Sequence, residues 1–175
     1  MIRVGCGFDV HPFKSGRKLI LGGADIPHDS GLDGHSDADV LTHAVIDALL
    51  GGIGKGDIGE RFPDDDPQYK DANSIDLLRE VAADARFDRV VIMSIDVSIA
   101  LEKPHLAKYR DEMRENLSKA TKVPKRRISV KATTCEKLGF VGRGEGAAAF
   151  AVILLNDNKP IGAFYTDEES DEEDE

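Results

Sequence analysis

Long apolar runs, cysteines and a basic surface are all scarce in this 175-residue chain. No apolar stretch approaches the ~20 residues that a helix needs to cross a bilayer, so no membrane-spanning helix is expected. The two cysteines, Cys6 and Cys135, make no disulfide framework in a chain without a secretory signal. Neither a signal nor a transit peptide precedes the strand-like Ile2-Arg3-Val4, and a cytoplasmic protein is expected. The basic segment KVPKRR at 122–127 is short and reads as a solvated loop, so no nucleic-acid partner is expected. No serine or cysteine constellation offers a covalent nucleophile.

The formal charge of -10 belongs mostly to one place. Residues 167–175 (DEESDEEDE) carry eight acidic side chains and no basic one, which leaves 25 acidic against 23 basic residues elsewhere. Such a run repels itself and buries nothing, so a disordered, solvated tail is expected at 167–175, within an extension from 157 onward. The remaining 1–156 suit one domain with a substantial core.

What is present begins with RVGCGFDVHPF. A strand over 2–11 places alternate residues on one face: Val4, Cys6, Phe8 and Val10 form an apolar side, and Gly5, Gly7, Asp9 and His11 the other. Glycines in a strand mark close approach of a ligand or another backbone, and space for a substrate beside Asp9 and His11 is the expectation. Cys6 is expected to face away and to pack. A second cluster, HSDADVLTH at 35–43, leads into a helix expected over Asp37–Leu50, with a capping-box spacing from Ser36 to Asp39 and a stop at Gly51-Gly52. Its stripe is Val40, Leu41, Ala44, Val45, Ala48 and Leu49; Asp39, His43 and Asp47 recur on another face, the carboxylates as partners of His43. One carboxylate and two imidazoles from Asp9, His11 and His43 suit zinc or a similar ion with an open coordination position. Two unrelated surface histidines and a capping aspartate are the alternative.

Further on, 54–73 is a long irregular segment of the kind that often carries function. Its Asp64, Asp65 and Asp66 suit either a hard cation such as magnesium or ordinary turns. A helix is expected from Asn73-Ser74 to Arg86, a strand over Val90–Leu101 and a helix from Pro104 to Thr121. A strand at 127–133, a loop, and a strand over Ala147–Leu155 complete a layered α/β domain. In the loop, Gly142-Arg143-Gly144-Glu145-Gly146 suits either phosphate contacts or a flexible turn.

The motifs GFDVH, HSDADVLTH with DALLGG, GDIGERFPDDDP, KATTCEKLGF and GRGEG occur in this order over residues 2–156. Together they resemble the 2-C-methyl-D-erythritol 2,4-cyclodiphosphate synthases of the non-mevalonate isoprenoid pathway. The resemblance implies a single two-layer α/β domain with a mixed sheet, assembling as a homotrimer with active sites at subunit interfaces. It implies a lyase that closes a CDP-linked methylerythritol phosphate into a cyclic diphosphate and releases CMP. Carried over by motif, Asp9, His11 and His43 hold zinc, while Glu136 holds magnesium or manganese at the substrate diphosphate. His35 and Thr134 match catalytic residues. Asp57, Ile58, Gly59, Phe62, Pro63, Asp64, Asp65 and Asp66 match contacts to the methylerythritol phosphate portion, and Ser36 is a further substrate-binding position. Leu101, Glu102, Lys103, Pro104, His105, Leu106 and Ala107 match the nucleotide side with Thr133 and Cys135; Phe140 and Arg143 complete the site. An isoprenoid diphosphate in an axial cavity, near Phe8, Val10, Arg143 and Glu145, is a further implied partner. Three positions depart from the family's pattern: Cys6 stands where histidine is common, Cys135 where threonine is usual and His105 where lysine is common. The last two put nucleotide contacts in doubt.

Overall fold

The structure, a computed structural model, describes residues 1–158. The acidic tail at 167–175 and all but the first two residues of the expected extension lie outside them. Among the described residues, seven strands and five α-helices follow in the order β1 (Ile2–Ser15), β2 (Leu19–Leu21), β3 (Ala24–Ile26), β4 (Ser30–Leu32), α1 (Val40–Ile53), α2 (Ile58–Arg61), α3 (Ser74–Phe87), β5 (Val90–Ala100), α4 (Arg110–Thr121), β6 (Ile128–Thr133), α5 (Gly139–Gly142) and β7 (Gly146–Asp157). The main sheet runs β4-β1-β7-β5-β6, with β2 and β3 forming a separate hairpin. Only β5 and β6 run parallel; β1, β4, β5 and β7 pair antiparallel. The α/β domain with a mixed sheet is as the sequence implies.

The strand β1 reverses the expected roles of its two faces. Val4, Phe8 and Val10 are exposed, at 63%, 60% and 44%, and Cys6 is exposed rather than packed. The glycine face is the buried one, because α1 lies directly on it. A Cβ at Gly5 would sit 1.8 Å from the Ala48 carbonyl oxygen, and one at Gly7 would sit 2.1 Å from that of Ala44. These glycines admit a helix backbone, not a substrate. Buried Ala147, Ala149 and Ala151 continue the small-residue bed on β7, paired with His11, Asp9 and Gly7.

The helix α1 begins later and ends later than its sequence suggests. Its cap is Asp39, which accepts from Thr42 N–H, and Ser36 caps nothing in it. Asp39 is fully buried. It also accepts from Gly22 and Gly23 N–H at 2.9 and 2.7 Å, which ties the β2–β3 turn to the helix. Burial pushes the Asp39 carboxyl above its ordinary range, with Asp37 adding to the effect and the hydrogen bonds opposing it. Gly51 and Gly52 remain helical, and Gly54 closes the helix at φ 76°. Gly52 stays inside because a Cβ there would meet Leu155 at 2.6 Å. Apart from Asp47, the helix is buried from Val40 to Leu50, so its expected stripe is only part of its buried surface.

The expected helix from Pro104 starts instead at Arg110. Leu101 N–H donates to Thr133 O, so the chain prolongs the β5–β6 edge before it can coil. Residues 101–109 then form a loop that buries Leu106.

Candidate metal centre and substrate cavity

His11 and Asp9 stand on β1 just beyond the glycines that receive α1, and His43 lies in the first turns of α1. The close approach of helix and strand therefore brings the three together. Asp9 Oδ2 is 3.0 Å from His11 Nε2 and 3.0 Å from His43 Nδ1. The two ring nitrogens are 3.1 Å apart. Among the described residues this is the one group of three or more such side chains placed to share a metal ion. A carboxylate and two imidazoles converging on one point, with edges near the roughly 3.3 Å of a tetrahedral zinc site, fit a zinc-like ion. His11 Nδ1 lies 2.6 Å from Asp33 O. A carbonyl only accepts, so Nδ1 carries a proton and Nε2 is the nitrogen available to an ion.

Burial opposes the charge on Asp9, but hydrogen bonds and charge from His11 and His43 outweigh it and hold the carboxyl well below the usual range. Burial also disfavours the His11 imidazolium; the hydrogen bond and charge of Asp9 prevail and raise its pKa, helped by Asp33 O and Asp64.

The expected carboxylate partners of His43 are engaged elsewhere. Asp39 holds backbone amides, and Asp47 accepts from Ile58 N–H at 2.8 Å. His43 Nε2 instead faces Ser74 Oγ at 2.8 Å and Ser36 Oγ at 3.1 Å. Ser74 is 31 positions from His43, and no local spacing marks it.

A cavity opens beside the three donors, bounded also by His35, Ser36, Ile58, Gly59, Phe62 and Asp64. The sequence singles out all nine of these residues. Tyr69 and Leu77 complete its apolar wall, and neither is anticipated. The long segment is pinned around the cavity by Asp71 N–H to His35 O, Asp37 N–H to Ala72 O and the edge-on stack of Phe62 on Tyr69. The other carboxylates of the segment have turn duties. Asp57 caps α2, and Asp66 caps the turn at Pro67–Tyr69 while its carbonyl oxygen lies 3.3 Å from His35 Nε2. Pro63 O accepts from Asp66 N–H, and Asp65 is exposed.

Leu101, Pro104, His105, Leu106, Ala107, Thr133 and Thr134 gather around a second cavity, joined by Arg110, which the sequence does not suggest. Glu102 turns away from it to accept from Cys135 and Lys137 N–H at 2.9 and 3.4 Å. Glu102, Lys103 and Arg143 line a third, open hollow. Glu136 is exposed and accepts from Thr134 Oγ at 2.6 Å; Phe140 is 41% exposed. The Arg143 fork is occupied by Glu145, through Nε at 2.6 Å and Nη2 at 3.0 Å. The metal cavity and the second cavity share no lining residue.

No described helix is long and apolar enough to cross a membrane. The model of the YgbB family matches residues 2–156. A 2-C-methyl-D-erythritol 2,4-cyclodiphosphate synthase of Geotalea uraniireducens is 56% identical over 154 residues, 88% of this chain and 98% of that protein. Among solved structures, the bifunctional IspDF of Campylobacter jejuni superposes with a TM-score of 0.84 at 42% identity. The match covers 89% of this chain, which spans 42% of that longer protein. The CDP complex of IspF from Plasmodium falciparum superposes with a TM-score of 0.79 at 32% identity, covering 90% of this chain and 97% of that one. The chain belongs to the YgbB family.

Proposed function

From that membership we propose that this chain is a 2-C-methyl-D-erythritol 2,4-cyclodiphosphate synthase of isoprenoid precursor biosynthesis. Its substrate is 4-diphosphocytidyl-2-C-methyl-D-erythritol 2-phosphate. The 2-phosphate oxygen attacks the β-phosphorus, the bond from that phosphorus to the CMP oxygen breaks, and CMP leaves. The observation that carries the reading is the convergence of Asp9, His11 and His43 at one end of a cavity walled by the 58–64 segment.

Asp9, His11 and His43 would hold zinc, and Glu136 would hold magnesium or manganese. When bound, such cations neutralise diphosphate charge and polarise its oxygens. The chain's own contribution is position. Phosphoryl transfer asks mainly for alignment and charge stabilisation, and holding both phosphates of one molecule in one place makes the attack intramolecular. Ile58, Phe62, Tyr69 and Leu77 form a water-poor wall beside the donors, which favours the tethered phosphate over water as nucleophile. His35 and Ser36, on that cavity, face the methylerythritol phosphate end with Asp64. Leu101 to Ala107, Thr133 and Cys135 take the cytidine diphosphate end, and Thr134 steadies the transferring group. Phe140 and Arg143 close that end.

Two observations support a homotrimer with its sites at the interfaces. The metal cavity measures about 180 Å³ and the nucleotide-side cavity about 200 Å³, each short of the roughly 300–1,000 Å³ usual for small-molecule sites. A neighbouring copy that brings one against the other would supply the missing volume. The apolar side of β1 and β7 is also bare: Phe8 and Phe150 are cross-strand partners and are 60% and 48% exposed. A connected apolar surface of this kind marks an interface. Three such faces around an axis would enclose an apolar space suited to an isoprenoid diphosphate. The synthase unit is residues 1–156, with 157–175 an extension, and the enzyme acts in the cytoplasm without nucleic-acid or membrane partners.

Purified protein given zinc, magnesium and substrate in oxygen-18 water tests the reading. Release of CMP with an unlabelled cyclic diphosphate is expected; label in either product would make the chain a hydrolase.

A further inference from the structure

We propose that Ser74 and Asp37 form a relay that fixes the tautomer of His43, leaving Nδ1 as its metal-binding atom. The inference rests on the metal-centre reading above and assigns two positioning residues to it. His43 alone leaves the tautomer open, because Nε2 faces two hydroxyls, Ser74 Oγ at 2.8 Å and Ser36 Oγ at 3.1 Å, and a hydroxyl can donate or accept.

Asp37 decides between the two. Its Oδ1 accepts from the Ser74 hydroxyl, and its Oδ2 accepts from Ser74 N–H at 3.1 Å. A carboxylate has no proton to return, so Ser74 Oγ turns a lone pair toward His43. An unprotonated Nε2 would then oppose lone pair to lone pair at that distance. Nε2 therefore carries a proton that it donates to Ser74, and Nδ1, which faces Asp9 Oδ2 at 3.0 Å and His11 Nε2 at 3.1 Å, is the atom left for an ion. Ser36 Oγ already accepts from Ala38 N–H at 3.2 Å and lies the farther of the two from Nε2. It takes a minor share of the same proton. His11 is fixed in the opposite sense by the Asp33 carbonyl, so the two rings offer different nitrogens to one point.

The relay also has a mechanical side. Ser74 is buried and opens α3 directly after the 54–73 segment. The end of the segment that walls the cavity is thus bonded to the ring that would bind the ion. Changes in that segment should reach the metal centre through Ser74.

Nitrogen-15 spectra of the imidazoles in the metal-free protein, together with zinc titrations, test this. In the unsubstituted protein His43 should show Nε2 protonated, and zinc should shift Nδ1. Ser74→Ala should mix the tautomers and weaken zinc binding by about 10- to 100-fold, the loss usual for an outer hydrogen-bonding partner. Ser74→Thr, which keeps the hydroxyl, should recover most of that affinity. An Nε2 without its proton in the unsubstituted protein would overturn the relay even if Ser74→Ala failed to fold. Unchanged zinc affinity in a folded Ser74→Ala would overturn it too. If the unsubstituted protein binds no zinc, the metal-centre reading itself fails.

Discussion

The corner holding Asp9, His11 and His43 and the corner holding Thr134, Glu136 and Arg143 carry similar numbers of polar groups but are built differently. In the first, the side chains are partly or wholly buried, come from distant segments and converge on one point. In the second, Thr134 bonds Glu136 and Arg143 bonds Glu145, each two residues away on a largely exposed loop. The first is organised by tertiary packing before any ligand arrives. The second satisfies itself locally, and on the proposed function it exchanges those partners for substrate and metal. One corner is assembled within the chain, and on the proposed function the other is completed by a neighbour.

Substitutions can break that contrast. The largest effect is expected for His43→Ala, which removes a donor outright. Turnover and zinc binding should fall by more than the roughly 100-fold that an outer partner costs, while the assembly stays intact by light scattering. Unchanged turnover would remove His43 from the site. Gly7→Val attacks the same corner through the backbone, since even a Cβ there meets the Ala44 carbonyl oxygen at 2.1 Å. Overpacking of this kind costs about 3 kcal/mol, so a markedly lower denaturation midpoint and a lost metal site are expected. Glu136→Gln should lower turnover about 10- to 100-fold, taking an ion-orienting contact as comparable to an outer partner. It should leave zinc affinity at the first corner unchanged, and a parallel loss of zinc would show the corners to be one unit.

The smallest expected effect is with pH. Asp9 favours the protonated His11 and raises its pKa above 6.5 despite burial, yet an imidazolium has no lone pair for a metal. Zinc affinity should therefore rise as pH climbs through that raised value and fall below it. In the metal-free protein the sign is opposite: the stability His11 draws from Asp9 is fully present below 6.5 and is lost as pH rises through the raised value. Calorimetry with and without zinc across this range reads both slopes, and parallel slopes would contradict the assignment.

The contrast also explains what could be read from the sequence. Asp9 and His11 are legible because a strand repeats every two residues, and the helical placement of His43 follows from the apolar pattern around it. The glycines beside them are visible, but their purpose depends on which element lies above the strand, and that element is α1. Ser74 escapes notice because its bond to His43 joins distant segments. Ser36 and Asp39 have the spacing of a capping box, yet buried Asp39 is drawn to the Gly22 and Gly23 amides and to Thr42 as the cap itself. The late start of α4 is hidden for a similar reason: a strand-edge bond from Leu101 to Thr133 outweighs the helix-start signal of Pro104. Local patterns name the elements, and close packing decides where they begin and what their faces serve.

Mixing two inactive variants tests most directly whether the two corners meet across subunits. His43→Ala keeps an intact nucleotide corner, and Glu136→Ala keeps an intact metal corner. In a closed ring of three with sites between neighbours, every mixed trimer holds one complete site, so random equimolar reassembly should restore about a quarter of normal turnover. Reassembled mixed trimers that remain inactive would place both corners of each site within one subunit and contradict the account.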